Sequence, residues 1–299
     1  MANSGVNYIT KGELLTYHSF TETDSLLDVH AVFYSYFIFF SILILTYFYR
    51  NGLGIKNKYI IALMSLPLVA SLVFAASKNV MVITFVTIVL YLFFILIKEI
   101  RWKQLVLVGV GLILALFMVA KLPMVKNRIV ELTDFSGIEN YEKIKNREKL
   151  TAPEREALNG TSLRLAFWYI GITEVFNHNR ILLGLSPGDS KALLNFRYDE
   201  LNLLPFLENY NMHNQFVQMF VEFGVVGLIL YLCLITLLIL ASIKNRNLLM
   251  LIFVVGFLFF QLSESLLERN KGILFFVFFL LLLLKLNIEK RNENSNNWN

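Results

Sequence analysis

Residues 209–232 read NYNMHNQFVQMFVEFGVVGLILYL, and they pass from an amide-rich polar cluster with one histidine into an apolar run. The run continues to about residue 243, which exceeds the roughly 20 residues that a helix needs to cross a bilayer. We therefore expect a membrane-spanning helix over 215–243. His213 then lies at the mouth of that helix, where lipid meets water.

The chain as a whole is also apolar. Of 299 residues, 57% are hydrophobic and 16% are charged, and the mean hydropathy is +0.61. Soluble domains average roughly 45–50% apolar and about 25% charged residues. The composition predicts an all-α integral membrane protein, a multi-span helical bundle with one large, partly helical extracytoplasmic loop. Seven spans are predicted, at 29–49, 59–77, 79–97, 104–120, 215–243, 247–267 and 272–288.

The positions of the basic residues indicate the orientation of this bundle. Loops on one side carry eleven Lys and Arg residues against three Glu residues, and short loops rich in Lys and Arg stay in the cytoplasm. The other side holds the long loop and the tip of the hairpin at Lys78. The net charge of +5 therefore follows from topology, and no nucleic-acid partner is predicted.

The predicted organisation has five parts, which alternate between the membrane and its two sides. They are an extracytoplasmic N-terminal segment (1–28), a first membrane bundle of four spans (29–120), the extracytoplasmic loop (121–212), a C-terminal bundle of three spans (213–288) and a cytoplasmic tail (289–299). The loop is too long to be a simple connection, because structureless loops above about 12–15 residues are usually functional or disordered.

The loop contains two kinds of sequence. Residues 131–159 are charged and nearly free of aromatic side chains, which predicts a surface helix or mobile segment outside the functional site. Residues 161–176 carry apolar side chains at helical spacing, with Ser162 available as N-cap. After a turn, Asp189 or Ser190 is the expected cap of a short helix from Lys191.

His213 is the first candidate for chemistry. A neutral imidazole can accept a proton from a hydroxyl near neutral pH, which is the role of a general base. Asn214, Gln218 and Glu222 follow at intervals of four residues and draw a polar stripe down one helix face. The alternative interpretation is a capping and interfacial cluster in which Glu222 bonds to a neighbouring helix.

Arg164 is the second candidate, and it shares a helix face with Trp168. A guanidinium group suits phosphate oxygens, although an amphipathic helix lying on the membrane with Arg164 reaching to the interface is the alternative. Lys78, between two spans, either meets an anion or reaches the lipid headgroups.

Charged residues also follow the sixth predicted span, and we expect a structural ion cluster there, formed by Glu264, Glu268, Arg269 and Lys271. His, Cys and carboxylate residues do not cluster at metal-ligand spacing, so no metal or other cofactor is predicted.

Several short motifs occur together in a particular order, and their combination is similar to that of the O-antigen ligase and polymerase family from about residue 30 to 285. The motifs are Ser77-Lys78, Thr161-Ser-Leu-Arg164 with Trp168, Gly184 with Gly188-Asp189, His213-Asn214-Gln215, Glu222-Phe-Gly224 with Gly227, and Glu264 to Gly272. Members have roughly a dozen membrane helices. The resemblance therefore implies that about five helices expected before residue 29 are missing from this sequence.

The resemblance also implies an activity. Members move a glycan from an undecaprenyl-diphosphate carrier onto an acceptor, a further glycan or a lipid core, without a metal, at the bacterial inner membrane with the loop in the periplasm. It implies that Arg164 engages the diphosphate and His213 acts on the acceptor hydroxyl. The implied substrate-binding residues are Lys78, Trp168, Asp189, Asn214, Gln218 and Glu222. Lys78 departs from the arginine of better-known ligases.

Two other classes of function remain open. One is a transporter or flippase for lipid-linked sugars, and the other is a non-catalytic membrane protein whose loop binds a partner. Within the family, the sequence does not distinguish a polymerase from a ligase.

Overall fold

A computed structural model describes residues 31–50, 57–75, 137–158, 160–203 and 210–296. All regular structure in these ranges is helical, which confirms the predicted all-α class. The helices are α1 (Ala31–Arg50), α2 (Lys58–Ala75), α3 (Ile138–Lys145), α4 (Ala152–Glu156), α5 (Gly160–Asn177), α6 (Pro187–Glu200), α7 (Gln215–Lys244), α8 (Leu248–Gln261) and α9 (Asn270–Asn296), with a 3₁₀ turn at Leu266–Glu268. The N-terminal segment, Lys78 and the predicted spans at 79–97 and 104–120 lie outside the described residues.

Two of the described helices are long and apolar enough to cross a membrane, judged by length and composition. They are α1, over Val32–Tyr49, and α7, over Gln215–Lys244. Helix α8 is equally apolar but has 14 residues and ends at Gln261, six residues before the predicted end of its span at 267. The next polar side chains, Ser263, Glu264 and Ser265, are buried. The count of seven spans stays a prediction.

The chain divides into two compact units. The first includes α1, α2, residues 242–260 and the part of α9 from Phe275 onward. Its core is aromatic: the Tyr36 ring lies 5.5 Å from the Phe257 ring and 5.2 Å from the Phe275 ring. Gly256 lets α8 approach closely, since a Cβ atom there would lie 2.9 Å from the Phe39 ring.

The second unit contains α3 to α6, α7 as far as Ala241, and residues 261–274. Helix α5 lies at its centre and packs against α3 and α6. Phe167, Ile170 and Val175 of α5 are buried with Tyr198 of α6 and Val221 of α7. The predicted helix over 161–176 therefore exists, and its apolar face forms the core of the unit. All the site residues discussed below belong to this second unit.

Two predicted N-caps in this unit are wrong. Helix α5 begins at Gly160, and Ser162 is buried inside its first turn, where its Oγ atom fills the space beside Gly137. Helix α6 begins at Pro187, earlier than the predicted Lys191, and its N-cap is Ser186, whose Oγ accepts a hydrogen bond from the Asp189 backbone N–H (3.3 Å). Proline favours the first helical position because it lacks the N–H that would go unpaired there.

Helix α7 is broken at Gly224, which has φ 65° and ψ −162°. The segment 181–186 fills the break. The Leu185 and Ser186 backbone N–H groups donate to the Val221 and Glu222 carbonyl groups at 2.8 and 3.0 Å. The Val225 and Val226 N–H groups donate in turn to the Ile181 and Leu182 carbonyl groups at 2.9 and 3.2 Å. Backbone groups freed inside an apolar helix need such partners, so the loop and the helix break stabilise each other.

Replacing Gly224 by Ala is expected to destabilise this unit. A backbone with φ 65° and ψ −162° is essentially restricted to glycine and costs another residue about 1–3 kcal/mol, and the Cβ atom of an alanine would lie 2.4 Å from the Leu182 backbone. The matched control is Gly188→Ala, because a Cβ atom at Gly188 meets nothing within 4 Å. Thermal unfolding of both variants in detergent should show a lowered Tm for Gly224→Ala alone. An unchanged Tm for Gly224→Ala would contradict this account of the break.

Candidate functional site

The backbone at His213 is held in an uncommon conformation. Its φ of 45° lies in the left-handed region, which non-glycine residues rarely adopt and which occurs more often at functional sites. The side chain of Asn211 accepts a hydrogen bond from the His213 N–H at 2.9 Å. Asn214 then caps α7, because its Oδ1 atom accepts from the Phe216 and Val217 N–H groups at 2.9 and 3.2 Å. The asparagines on both sides therefore fix the direction of the His213 side chain.

The imidazole of His213 contacts a carboxylate. Its Nδ1 atom lies 3.0 Å from Glu264 Oε2, and Glu264 is buried while the His213 side chain is 20% exposed. An ionised carboxylate can only accept hydrogen bonds, so a neutral imidazole bonded to ionised Glu264 carries its proton on Nδ1 and keeps the lone pair on Nε2. Within the part of the chain that the structure describes, Nε2 has no partner. The geometry leaves a basic nitrogen available to a substrate.

Aromatic rings hold the plane of the imidazole. The Phe167 ring lies 5.8 Å from the His213 ring and nearly parallel to it, at 24°. The Tyr210 ring lies 5.6 Å away on a tilt of 47°. The carboxylate and the two rings together restrict both the position and the rotation of the imidazole, which a general base requires.

The turn that carries Glu264 is tied to the start of α7. Asn214 Nδ2 donates to the Leu262 carbonyl at 3.1 Å, and the Asn214 N–H donates to Ser265 Oγ at 3.3 Å. Gln215 Oε1 accepts from the Leu267 N–H at 2.8 Å. Three consecutive residues, 213 to 215, therefore each contact the turn, and the His213–Glu264 pair is part of a continuous hydrogen-bonded junction.

The polar stripe of α7 continues inward from this junction. Gln218 accepts from the Met212 N–H at 2.9 Å and donates to Glu222 Oε1 at 2.8 Å. Both side chains are buried at 2% exposure. Glu222 also interacts with Glu268, which forms an ion pair with Lys191 of α6 at 3.6 Å. The stripe is a buried network that supports the segment before His213.

Helix α5 places Arg164 near this junction. Trp168 Nε1 donates to the Met212 carbonyl at 2.7 Å, and the adjacent Phe167 stacks on His213. Arg164 lies one turn earlier on the Trp168 face, about 6 Å along the axis. Its Nη1 atom donates to the Gly160 carbonyl at 3.0 Å. Arg164 and His213 thus belong to one unit, and the segments that carry them are in direct contact.

Asp189 has a structural contact. Its carboxylate accepts from Ser186 Oγ at 3.1 Å, at the start of α6. Lys78, the other predicted anion-binding residue, lies outside the described residues. The catalytic and substrate-binding roles of the predicted residues stay predictions.

The sequence-based interpretation missed the role of Glu264. It placed Glu264 and Glu268 in an ion cluster with the nearby Arg269 and Lys271. In the structure, Glu264 contacts His213, and Glu268 pairs with Lys191 of α6. Local spacing favoured partners within a few residues, whereas the observed partner of Glu264 is 51 positions away. The signal in the sequence was the glutamate itself in an apolar region, because a buried carboxylate needs a partner.

A comparison with protein families identifies the chain. The family model described as O-antigen ligase matches residues 60–232. The chain belongs to the O-antigen ligase family. The matched range includes Arg164 and His213, whereas Glu264 lies beyond it. No curated protein matches the chain.

Membership in the O-antigen ligase family carries a general function. Its proteins are membrane enzymes of a glycosyltransferase-like kind, and they act in the assembly of surface polysaccharide on lipid-linked substrates. The apolar helices α1 and α7 fit a membrane location. The predicted family is therefore confirmed.

The hydrogen bond between His213 and Glu264 can be tested by NMR spectroscopy of the imidazole nitrogens. The chain has four histidines, so the imidazole nitrogens of the ¹⁵N-histidine-labelled protein can be resolved, and His213→Gln assigns the relevant signals. We expect the Nδ1-protonated form of His213 at neutral pH, since Glu264 accepts that proton. In Glu264→Gln the amide can donate or accept, so a mixture of tautomers is expected. A predominantly Nε2-protonated imidazole in the unchanged protein would contradict the assignment.

Proposed function

We propose that this protein transfers or polymerises an undecaprenyl-diphosphate-linked glycan onto an acceptor sugar at the inner membrane, with the loop in the periplasm. The observation that supports this proposal most directly is the His213–Glu264 pair at the mouth of α7. This pair leaves one imidazole nitrogen without a partner among the described residues. That nitrogen is suited to accept the proton of an acceptor hydroxyl. Family membership supports the general reaction.

The chemical step needs one base and one site for negative charge. The acceptor oxygen attacks the anomeric carbon of the donor sugar, and a new carbon–oxygen bond forms as the bond from that carbon to the diphosphate oxygen breaks. The electron pair leaves on the diphosphate, and the acceptor proton passes to His213 Nε2. Glu264 stabilises the resulting imidazolium, as a buried carboxylate does for a catalytic histidine in other enzymes.

Arg164 is proposed to receive the diphosphate. A guanidinium presents parallel N–H donors that match two phosphate oxygens, and it stays charged at all physiological pH values. Fixed positive charge at the leaving group lowers the barrier most when it is positioned before the reaction begins. Its place one turn before Trp168, which is bonded to the Met212 carbonyl, supports this role. Lys78 and Trp168 are proposed as further contacts of the lipid-linked donor.

The remaining predicted substrate contacts are better assigned to positioning. Asn214, Gln218 and Glu222 bond to protein groups and are nearly buried. We propose that they hold the His213 segment, and that Asp189 fixes the start of α6 through its contact with Ser186. These residues then act on the substrate only through the groups they position.

The helix break in α7 does not support the alternative hypothesis that the protein is a transporter. Broken helices in transporters leave backbone groups open to coordinate a substrate or ion. Around Gly224, the backbone groups of residues 221, 222, 225 and 226 are bonded to the segment 181–186. The break therefore has a structural explanation in the loop that fills it.

Replacing His213 or Arg164 by Ala tests the proposed roles. The full chain is assayed in membrane extracts for glycan transfer from the lipid diphosphate. His213→Ala is expected to lose about 10²–10⁴-fold in rate, the usual contribution of a general base. Arg164→Ala should also lose activity, while Arg164→Lys keeps the charge but not the paired N–H donors and should lose less.

Matched controls exist within the same unit. His178→Ala and Arg180→Ala remove the same side-chain types at exposed positions just after the end of α5, and transfer should be unchanged in both. Transfer at the normal rate in both His213→Ala and Arg164→Ala would refute the roles. In cells lacking the gene, loss of the polysaccharide ladder above one repeat would indicate a polymerase, and loss of all attachment a ligase.

Replacing Glu264 by Gln tests the partner of the base separately. The amide keeps the shape but no longer stabilises an imidazolium, so transfer should fall by about tenfold or more without reaching the loss in His213→Ala. The variant in which both residues are changed should be no slower than His213→Ala alone, because the two act as a unit. Additive losses in that double variant would show that Glu264 acts independently of His213.

A further inference from the structure

A pocket lies in the same unit, between α5, α6 and the turn after α3. It encloses about 390 Å³, within the range of small-molecule sites. Arg147 and Lys149 line it from the turn, Tyr169 and Thr173 from α5, and Arg197 and Glu200 from α6. His213 and Arg164 do not line this pocket, so it is separate from the proposed catalytic groups.

The turn that carries Arg147 and Lys149 is held at both ends. Arg147 has φ 60° and its N–H donates to the Ile144 carbonyl at 3.0 Å. The Leu150 N–H donates to the Leu201 carbonyl at 3.3 Å, and Asn202 Nδ2 donates to the Leu150 carbonyl at 2.7 Å. The charged segment 131–159 was predicted to lie outside the functional site as a surface helix or mobile segment. Over 137–158 it forms α3, α4 and this pocket wall.

Beyond the turn, helix α4 braces the same wall. The Glu154 carboxylate pairs with Lys143 of α3 and accepts from the Thr151 N–H at 2.8 Å. These contacts, with Lys143 first, lower the pKa of Glu154 to about 2. Because the folded-state pKa is depressed, the stabilising contribution is present above the ordinary pKa of 4.5 and disappears as the pH falls through about 2. Glu154 therefore stays ionised, and its contact with Lys143 keeps both charges, at cellular pH.

The charges in the pocket are unequal. Arg197 is neutralised, since its Nε atom lies 2.9 Å from the buried Glu174 and its Nη1 atom contacts Glu200. Arg147 and Lys149 form no ion pair with a carboxylate within the described residues. The wall formed by Arg197, Glu174 and Glu200 has a formal charge of −1, and the two rim cations bring the lining to +1, so the pocket attracts a single negative charge.

The other walls suit a sugar ring. Tyr169 donates from its hydroxyl group to the Lys145 carbonyl at 3.2 Å, which fixes the ring as a flat surface for the C–H face of a pyranose. Thr173 supplies a hydroxyl group, and Glu200 supplies carboxylate oxygens that can accept hydrogen bonds from sugar hydroxyls. The carboxylates in the wall also repel a doubly charged phosphate more strongly than a singly charged carboxylate.

We propose that this pocket binds a carboxylate-bearing sugar residue of the glycan, with the carboxylate at Arg147 and Lys149 and the ring against Tyr169. The proposal rests on the proposed function, because it takes the glycan as the substrate. The pocket then selects which repeat unit the protein processes, whereas His213 and Arg164 carry out the transfer.

Binding of monosaccharides to the purified full chain in detergent tests the proposal. The probes are D-glucuronate, D-glucose and inorganic phosphate, and saturation-transfer NMR with competition gives their relative affinities. Glucuronate should bind at least about tenfold more tightly than glucose, as expected for a charge-assisted hydrogen-bonded pair, and phosphate should not displace it. Equal binding of the two sugars, or displacement of glucuronate by phosphate at similar concentration, would overturn the proposal.

Variants locate the binding. Arg147→Asn suits the left-handed backbone, and with Lys149→Gln it removes the two rim charges. Each change should weaken glucuronate binding by about two- to fivefold, the range for exposed ion pairs, and both together by about tenfold. Lys145→Gln is the matched control, because its exposed side chain pairs with Glu142 and does not line the pocket. Unchanged glucuronate binding in the double variant, with an unchanged Tm, would refute the site.

The two proposals fail in different ways. His213→Ala should bind glucuronate normally, since His213 is not part of the pocket. Normal glucuronate binding by an unchanged protein that transfers no glycan from the lipid diphosphate would refute the proposed function and leave the pocket standing. Loss of sugar selectivity together with His213-dependent transfer would refute the pocket alone.

Discussion

The junction between the start of α7 and the turn at 262–267 is the constraint on which the site depends. His213 bonds to a carboxylate of that turn, and Asn214 bonds to a backbone carbonyl and a serine hydroxyl. Gln215 accepts a hydrogen bond from a backbone N–H of the same turn. An isolated polar residue at the mouth of an apolar helix would be solvated and free to rotate. Here the imidazole is fixed because the helix cap and the turn share the same hydrogen bonds, and removal of one contact weakens the others.

The helix break at Gly224 and the segment 181–186 extend this constraint to the rest of the unit. An unbroken α7 would satisfy its own backbone and leave no attachment point for a loop. The break exposes carbonyl and N–H groups that the segment 181–186 bonds to, and this segment joins α5 to α6. The position of both loop helices is thus set by one left-handed glycine. Gly184, at φ 71°, approaches the Glu222 backbone so closely that a Cβ atom would lie 2.4 Å from it.

The parts of the structure that depend on local sequence were predicted well. The helical spacing of apolar residues over 161–176 predicted α5, which is observed at Gly160–Asn177. The apolar run at 215–243 predicted α7, which is observed at Gln215–Lys244. The helix starts were less accurate, since several residues near each start can act as a cap and the tertiary contact at Gly137 decided the position of Ser162. The partner of His213 was not predictable from spacing, because the contact with Glu264 is made only after the chain has folded back.

Helix α5 links the two sites because its residues face both. Phe167 contacts His213, and Trp168 contacts the Met212 carbonyl. Tyr169 and Thr173, further along the helix, line the pocket between α5 and α6. A rotation of α5 about its axis would therefore move both sets of side chains together. The buried Phe167, Ile170 and Val175 resist such rotation, because a close-packed core has few alternative arrangements. The proposed sugar pocket and the imidazole held by Glu264 are thus kept at a fixed separation, which the proposed presentation of one sugar of a long chain to one base requires.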